Sequence, residues 1–314
     1  MIRDLIDLAN SNDTEACFIF LDQEKAFDRV NHDFLYKCMR TFGIGDNFIH
    51  WIKVIYSNAS TRIKINGFLT ENIQLKRGVR QGDPLSFLEY IFINEIMALQ
   101  LRKNPNIVGF QVGGEKIVSL HYADDTTICI LQNRCFKEVY KELLDYEKGT
   151  GAKINYDKTK ALWVGKWRNR TDTPLPLKFT NGNIKSLGVY FGNDNPAMQT
   201  FQEIIPKIAK SLNYWKQFKL CKLTKARVME IFHLSTLWYA SNIYPIPQQI
   251  VKQLETKMSS FLFFPQKNAT IALEELKKLR LNGGAKLIDI SSKSRCSKVK
   301  WLMELCINPD LNVT

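Results

Sequence analysis

An α+β fold is predicted, with few strands and packed helices in the first two thirds of the chain and helices alone after that. Three observations predict it. Cys17-Phe-Ile-Phe-Leu21 is an unbroken apolar run, as a strand buried on both faces requires. Two further apolar runs flank Tyr122-Ala123-Asp124-Asp125, with β-branched residues on each arm, and read as strand, tight turn, strand. Beyond Asp194-Asn195-Pro196 the spacing becomes helical and is punctuated by Pro245, Pro247 and Pro265.

Each element has its own justification. Residues 1–16 read as a helix with one polar face, and the first strand ends at Asp22. Lys25 to Val30 takes up helical spacing, and 31–56 alternates helical segments around Gly43-Ile44-Gly45. Residues 60–68 read as strand and turn, with Asn66-Gly67 a hairpin signal. Lys76 to Ser86 is a basic, glycine-punctuated loop opening onto an apolar helix that should run from Pro84 to about Lys103, with Pro84 in its first turn. A strand over 116–120 leads to the Asp-Asp turn, 126–131 leads away, and a helix spans 135–148. Residues 163–183, rich in Pro, Thr, Asn and Arg, are expected to be an exposed connection. Helices then follow around 199–218, 224–241 and 248–263. No internal repeat interrupts this order.

The chemistry lies in the carboxylates. Adjacent aspartates at a strand turn, joined by Asp22 from the end of a distant strand, form the kind of donor set that two hard divalent cations require. Such charge cannot be buried among apolar strands without a cation to offset it. An Asp-Asp pair alone would be an ordinary turn. The glycines of the basic loop allow its backbone to approach a nucleotide, and Gln81 can reach a base or sugar edge.

Five stretches together resemble the reverse transcriptase of non-LTR (LINE-type) retrotransposons: residues 18–30, residues 68–86, the Tyr122–Asp125 tetrad, residues 151–160 and residues 184–192. They occur in that family's order and with similar gaps. The resemblance implies a right-hand polymerase palm, an antiparallel sheet with packed helices, over 1–195 with a remnant of fingers, and an α-helical thumb or connection over 196–314. It implies an RNA-directed DNA polymerase that adds dNTPs to a primer 3′-hydroxyl on an RNA template. Asp22, Asp124 and Asp125 would bind two Mg²⁺ ions, with Mn²⁺ a possible substitute. The Gln23 carbonyl would complete the shell of the nucleotide's metal. Phe27 would stand under the sugar and exclude a 2′-hydroxyl, which argues against ribonucleotide use. Arg80 would meet phosphate, Gln81 and Gly82 would contact nucleotide and template, and Lys158 would protonate the departing pyrophosphate. Leu187-Gly188 would form the turn that grips the primer end. By the same analogy the protein works in the nucleus and cytoplasm as a ribonucleoprotein.

Composition agrees. The net charge is +13, and from residue 200 onward 18 Lys/Arg face 8 Asp/Glu, interleaved with Tyr214, Trp215, Phe218, Trp238 and Trp301. That mixture suits helices with one face toward a duplex backbone. Seven cysteines without Cys-x-x-Cys spacing read as reduced buried thiols of an intracellular protein, and no zinc site can be assembled. No apolar run is long enough for a membrane span.

Two departures bear on activity. Only 21 residues precede Asp22, so the fingers are expected to be mostly missing, with no endonuclease region before the palm and no Cys/His knuckle after it. Phe87 stands where the family usually has proline, and a perturbed helix start is expected there. Impaired polymerisation follows as an expectation. The alternative is a catalytically silent nucleic-acid-binding relic of such an element.

Overall fold

The computed structural model describes residues 1–266 and 270–307; the side chain of Trp301, and residues 308–314 at the end of the predicted thumb, lie outside them. The chain divides into two compact units, Met1–Leu187 and Gly188–Thr314. The boundary therefore precedes the Asp194-Asn195-Pro196 segment by one strand.

In the first unit α1 (Ile2–Ser11) leads into β1 (Glu15–Leu21), followed by α2 (His32–Thr41) and α3 (Asp46–Ser57). Four two-residue strands come next, β2 (Ser60–Thr61), β3 (Lys64–Ile65), β4 (Phe68–Leu69) and β5 (Ile73–Gln74). The helix α4 (Pro84–Lys103) precedes β6 (Phe110–Val112), β7 (Glu115–Ile117), β8 (Ser119–Tyr122) and β9 (Asp125–Ile130). Then come α5 (Asn133–Thr150), β10 (Lys160–Gly165), β11 (Lys178–Thr180) and β12 (Asn183–Ser186).

The main sheet has the order β11-β10-β1-β9-β8. Neighbours run antiparallel except β10 and β11. The apolar run puts β1 in the middle, because only a central strand buries both faces. Cys17, Ile19 and Leu21 enter one core with residues of α2, α3, α4 and α5. Phe18, on the opposite face, stacks on Phe110 at 5.8 Å.

Local chemistry explains the ends and turns. Asn66 and Gly67 both adopt positive φ and close the β3–β4 hairpin, as an Asn-Gly pair should. The Asp83 side chain accepts a hydrogen bond from the Leu85 amide at 2.9 Å, and Pro84 occupies the first turn of α4. Phe87 does not perturb that start: it faces solvent, 46% exposed, and α4 runs through it unbroken. Trp51 and Phe68 are also largely exposed, so α3 and the β3–β4 hairpin show apolar side chains outward as well.

Several expectations are corrected. Residues 163–183 are not an exposed connection, since 160–165 form β10 beside β1 and Trp163 and Trp167 are buried. The Arg170 guanidinium stacks over both indoles, at 4.4 Å and 4.5 Å, so a polar composition conceals a buried aromatic anchor. The strand expected over 116–120 is divided between β7 and β8, because β7 turns back on β6 through Gly113-Gly114. Lys25–Val30 forms only a turn and a short 3₁₀ segment at Phe27–Arg29. Cys17, Cys38, Cys129 and Cys135 are buried, whereas Cys221, Cys296 and Cys306 are exposed.

The second unit contains β13 (Val189–Gly192), α6 (Pro196–Trp215), α7 (Lys222–Val228), α8 (Ser235–Ile243), α9 (Gln248–Phe263), α10 (Leu273–Lys277) and α11 (Ile290–Ile307). Phe201, Leu237, Leu254 and Phe261 are among its buried residues. The helix expected over 224–241 is interrupted by a π-helical stretch, Met229–Leu234, that joins α7 to α8. Among the described residues no helix is long and apolar enough to cross a membrane.

One ion cluster ties the end of this unit together. The Lys277 ammonium bonds Asp289 at 2.6 Å, Glu274 at 2.7 Å and Glu255 at 3.1 Å. Burial opposes the Asp289 charge, but hydrogen bonds from Lys277 and Ser292 outweigh it and bring the carboxyl down to about 2. A carboxylate depressed in the folded state stabilises above its unfolded value, and that stabilisation fades as pH falls toward the folded one. Thermal melting of the chain should therefore show an acid limb below about pH 4. Lys277→Met should lower stability by about 2 kcal/mol at neutral pH and flatten the limb. An acid limb unchanged by the substitution would rule this cluster out as its source.

Candidate active site

The three aspartates arrive from adjacent strands. β1 pairs β9 with Leu21 opposite Thr126, so the next residues along, Asp22 and Asp125, leave the ladder side by side. β8 pairs β9 with Tyr122 opposite Asp125, and the two residues between them, Ala123 and Asp124, form the turn. Ala123 takes φ 54°, a left-handed conformation that lets so short a connection close. Burial raises the Asp125 pKa, and the charges of Asp124 and Asp22 raise it further. Asp22 is half-buried and Asp124 and Asp125 are exposed, so the carboxylates meet at the surface rather than inside the sheet.

The backbone of Asp22 is clamped from both sides. Its amide donates to Thr159 Oγ1 at 3.1 Å, and its carbonyl accepts from the Asn155 amide at 2.8 Å. The 155–159 turn that does this also presents Lys158, whose side chain is exposed. Gln23 follows, buried and bridged to Ile154.

A polar network then joins Gln23 to the carboxylate turn. Gln23 Nε2 donates to Asn94 Oδ1 at 3.4 Å, while Asn94 Nδ2 donates to the Ala123 carbonyl at 2.8 Å and lies 3.2 Å from His121 Nδ1. Thr126 Oγ1 is 3.0 Å from the same imidazole nitrogen, and His121 Nε2 is 2.8 Å from Ser119 Oγ. Burial, and then the charge of Arg102, lowers the His121 pKa to about 4, so the ring is a neutral acceptor at Nδ1 and a donor at Nε2. His121 is a brace under the turn rather than a proton carrier.

Phe27 is half-buried and stacks on Tyr90 of α4 with ring centroids 4.9 Å apart. Tyr90 is buried within reach of the Asp124 charge, and its pKa rises first by burial, then through Tyr146 and Asp124. The glycine loop docks on the Phe27 turn. The Val79 amide donates to the Phe27 carbonyl at 2.9 Å and the Gly78 amide to the Val30 carbonyl at 2.8 Å. A β-carbon on Gly78 would sit 2.9 Å from the Asp28 carbonyl oxygen, so only glycine allows the loop this close. Arg80 and Gln81 are exposed and line a cleft of about 650 Å³ with Asp28 and Tyr56, and Gly82 has φ 90°.

Asp22, Asp124, Asp125, Gln23 and, through Tyr90, Phe27 are thus brought together, with Arg80, Gln81 and Gly82 on the loop docked beside Phe27. Lys158 approaches through its turn. Leu187 and Gly188 both have positive φ and form a tight turn at the boundary of the two units. Sequence reasoning missed Asn94, Tyr90 and Thr159. A signal for Asn94 existed: an amide four residues after Tyr90 on the buried face of an apolar helix needs polar partners. A second acidic cluster, Glu255, Glu274 and Asp289, has ligand oxygens within 4.8 Å of one another, but the Lys277 ammonium already pairs with all three.

Residues 1–191 match the family described as reverse transcriptase (RNA-dependent DNA polymerase). The Transposon TX1 uncharacterized 149 kDa protein of Xenopus laevis is 30% identical over 269 residues, which is 84% of this chain and 20% of that protein. The Pol polyprotein from type-2 retrotransposable element R2DM of Drosophila melanogaster is 30% identical over 50% of this chain and 15% of its own length. That from type-1 retrotransposable element R2 of Popillia japonica is 38% identical over 58% and 27%. The chain spans about a fifth of the length of these relatives. Among solved structures, apo telomerase from Candida tropicalis aligns with 98% of this chain and 53% of its own at 15% identity, with a TM-score of 0.47. With its family match over the first unit and its carboxylates converging there, the chain belongs to the reverse transcriptase (RNA-dependent DNA polymerase) family, in the form carried by non-LTR retrotransposons.

Proposed function

We propose that the first unit is the palm of an RNA-directed DNA polymerase and the second its thumb, and that the chain extends a DNA primer on an RNA template with dNTPs. The observation that carries this reading is the convergence of Asp22, Asp124 and Asp125 at one end of the sheet, where Asp125 is raised by burial and by its two neighbours. Carboxylate oxygens in mutual repulsion fit hard divalent cations. Two Mg²⁺ ions, or Mn²⁺ in their place, would supply an acidified primer 3′-hydroxyl and a neutralised triphosphate.

The chain's own residues do the rest. Asp22 and Asp124 would carry most of the coordination, with Asp125 and the Gln23 carbonyl completing the donor set. Phe27, held flat against Tyr90, cannot swing away from a sugar above it. A 2′-hydroxyl therefore meets a fixed wall, and specificity for dNTPs is repulsive. Arg80 meets triphosphate, and Gln81 and Gly82 contact nucleotide and template. Lys158 delivers its Nζ proton to the leaving pyrophosphate. Leu187 and Gly188 hold the primer end by close backbone approach.

Primer extension on a homopolymer RNA template with dNTPs and Mg²⁺ tests the assignment. Asp124→Asn should reduce extension by at least about 10²-fold. Extension that survives the substitution would sink the reading, whereas no extension with intact duplex binding would favour the silent relic. Phe27→Val should raise the use of ribonucleotides relative to dNTPs by roughly 10- to 100-fold, read as the ratio of kcat/KM values. Asn94→Leu removes the link between Gln23 and the Ala123 carbonyl. It should cost about 1–3 kcal/mol in thermal unfolding and lower kcat more than the lost folded fraction explains.

A further inference from the structure

The glycine loop that carries Arg80, Gln81 and Gly82 is tied down at its base by main-chain bonds and by a side chain. The Gly78 and Val79 amides hold it to the Phe27 turn, and the Gly78 carbonyl lies 2.8 Å from His32 Nε2. A carbonyl oxygen only accepts, so that imidazole nitrogen carries a proton and donates it. The bond matters because of where it falls. Gly78 has φ 93° and no side chain, and a glycine peptide turns with little resistance unless something holds its oxygen. Rotation there is carried along the chain to Arg80 and Gln81, which are exposed and line the cleft with Tyr56.

His32 is itself held in place. It opens α2, whose start is fixed by the Asn31 side chain accepting from the Phe34 amide at 2.9 Å. Its ring stacks on Tyr56 of α3 with centroids 4.6 Å apart. The Tyr56 hydroxyl in turn donates at 2.6 Å to Glu89 of α4, a residue only 1% exposed. Stacking sets the plane of the imidazole, and the bond to Glu89 sets the plane of the tyrosine beneath it. A line of contacts thus runs from the inside of α4 to the oxygen of Gly78. Half-buried and held at both its ring face and its Nε2, His32 has lost the freedom that a surface side chain keeps.

We infer that His32 is a positioning residue for the nucleotide-facing loop: its Nε2–H fixes the Gly78 carbonyl, and with it the direction in which Arg80 and Gln81 project toward the incoming nucleotide. It acts through the loop and touches neither nucleotide nor metal. The inference deepens the polymerase reading and rests on it. A loop held this way serves nucleotide binding before and during the chemical step alike, so its loss shows in KM and leaves kcat nearly unchanged.

Two substitutions separate the hydrogen bond from the packing. His32→Phe keeps an aromatic ring on Tyr56 and removes the donor, whereas His32→Gln keeps an N–H that reaches the same carbonyl. In primer extension, His32→Phe should raise the dNTP KM about 10-fold with kcat changed less than about twofold. His32→Gln should bring KM back to within about threefold of the unsubstituted chain. A fall in kcat at constant KM, or a KM that His32→Phe leaves alone or His32→Gln fails to restore, overturns the inference. Limited trypsin digestion of the folded full chain reads the loop without catalysis. Cleavage after Lys76, Arg77 and Arg80, all exposed, should quicken several-fold in His32→Phe, while cleavage after Lys219, exposed in the other unit, stays the same. Equal loop cleavage in the two proteins overturns the inference as well. If the unsubstituted chain extends no primer while His32→Phe still loosens the loop, the polymerase reading fails and the hold of His32 on the loop stands.

Discussion

Three like charges at one end of a sheet repel one another, and the first unit is organised around holding them there. The repulsion is visible in Asp125, which burial and two neighbouring aspartates push toward its protonated form. Backbone restraint opposes it. Asp22 is gripped through its amide and carbonyl by the 155–159 turn, and the Ala123 carbonyl is gripped by Asn94. Because these grips act on the main chain, they do not engage the carboxylates themselves. A site secured through its own carboxylates would have used up the groups it needs.

The helix α4 connects the parts. Its buried face carries Tyr90 under Phe27, Asn94 under the carboxylate turn and Glu89 toward Tyr56, whose hydroxyl donates to it at 2.6 Å. Burial raises the Glu89 pKa, and a nearby Asp83 adds to it. Polar groups on an otherwise apolar helix thus fix its rotation, since each must find its partner or stay unsatisfied. The Phe27 ring and the carboxylate turn are thus positioned by the same helix.

The grouping of the acidic residues was legible in the sequence before the architecture around them. The convergence of Asp22, Asp124 and Asp125 could be read because acids at the ends of neighbouring strands stand out from the apolar runs that carry them. The Asn66-Gly67 turn and the start of α4 followed from local rules that tertiary packing left alone. Strand β10 could not be read, because its neighbours in sequence are polar and its Trp163 anchor gains meaning only from Arg170 and Trp167 folding over it. The π-helical stretch was hidden for a different reason: its hydrophobic period barely departs from that of an α-helix. Asn94 was visible as an oddity, but its partners lie on segments far away along the chain.

The absent side chain at Gly78 has an evolutionary reading. Any other residue there would press on the Asp28 carbonyl and lift the loop off Phe27, drawing Val79 away from the core it enters. On the polymerase reading, one codon change here would disturb the nucleotide-facing loop and the core beneath it together. Erosion of such an element can thus begin at a position that carries no side chain at all.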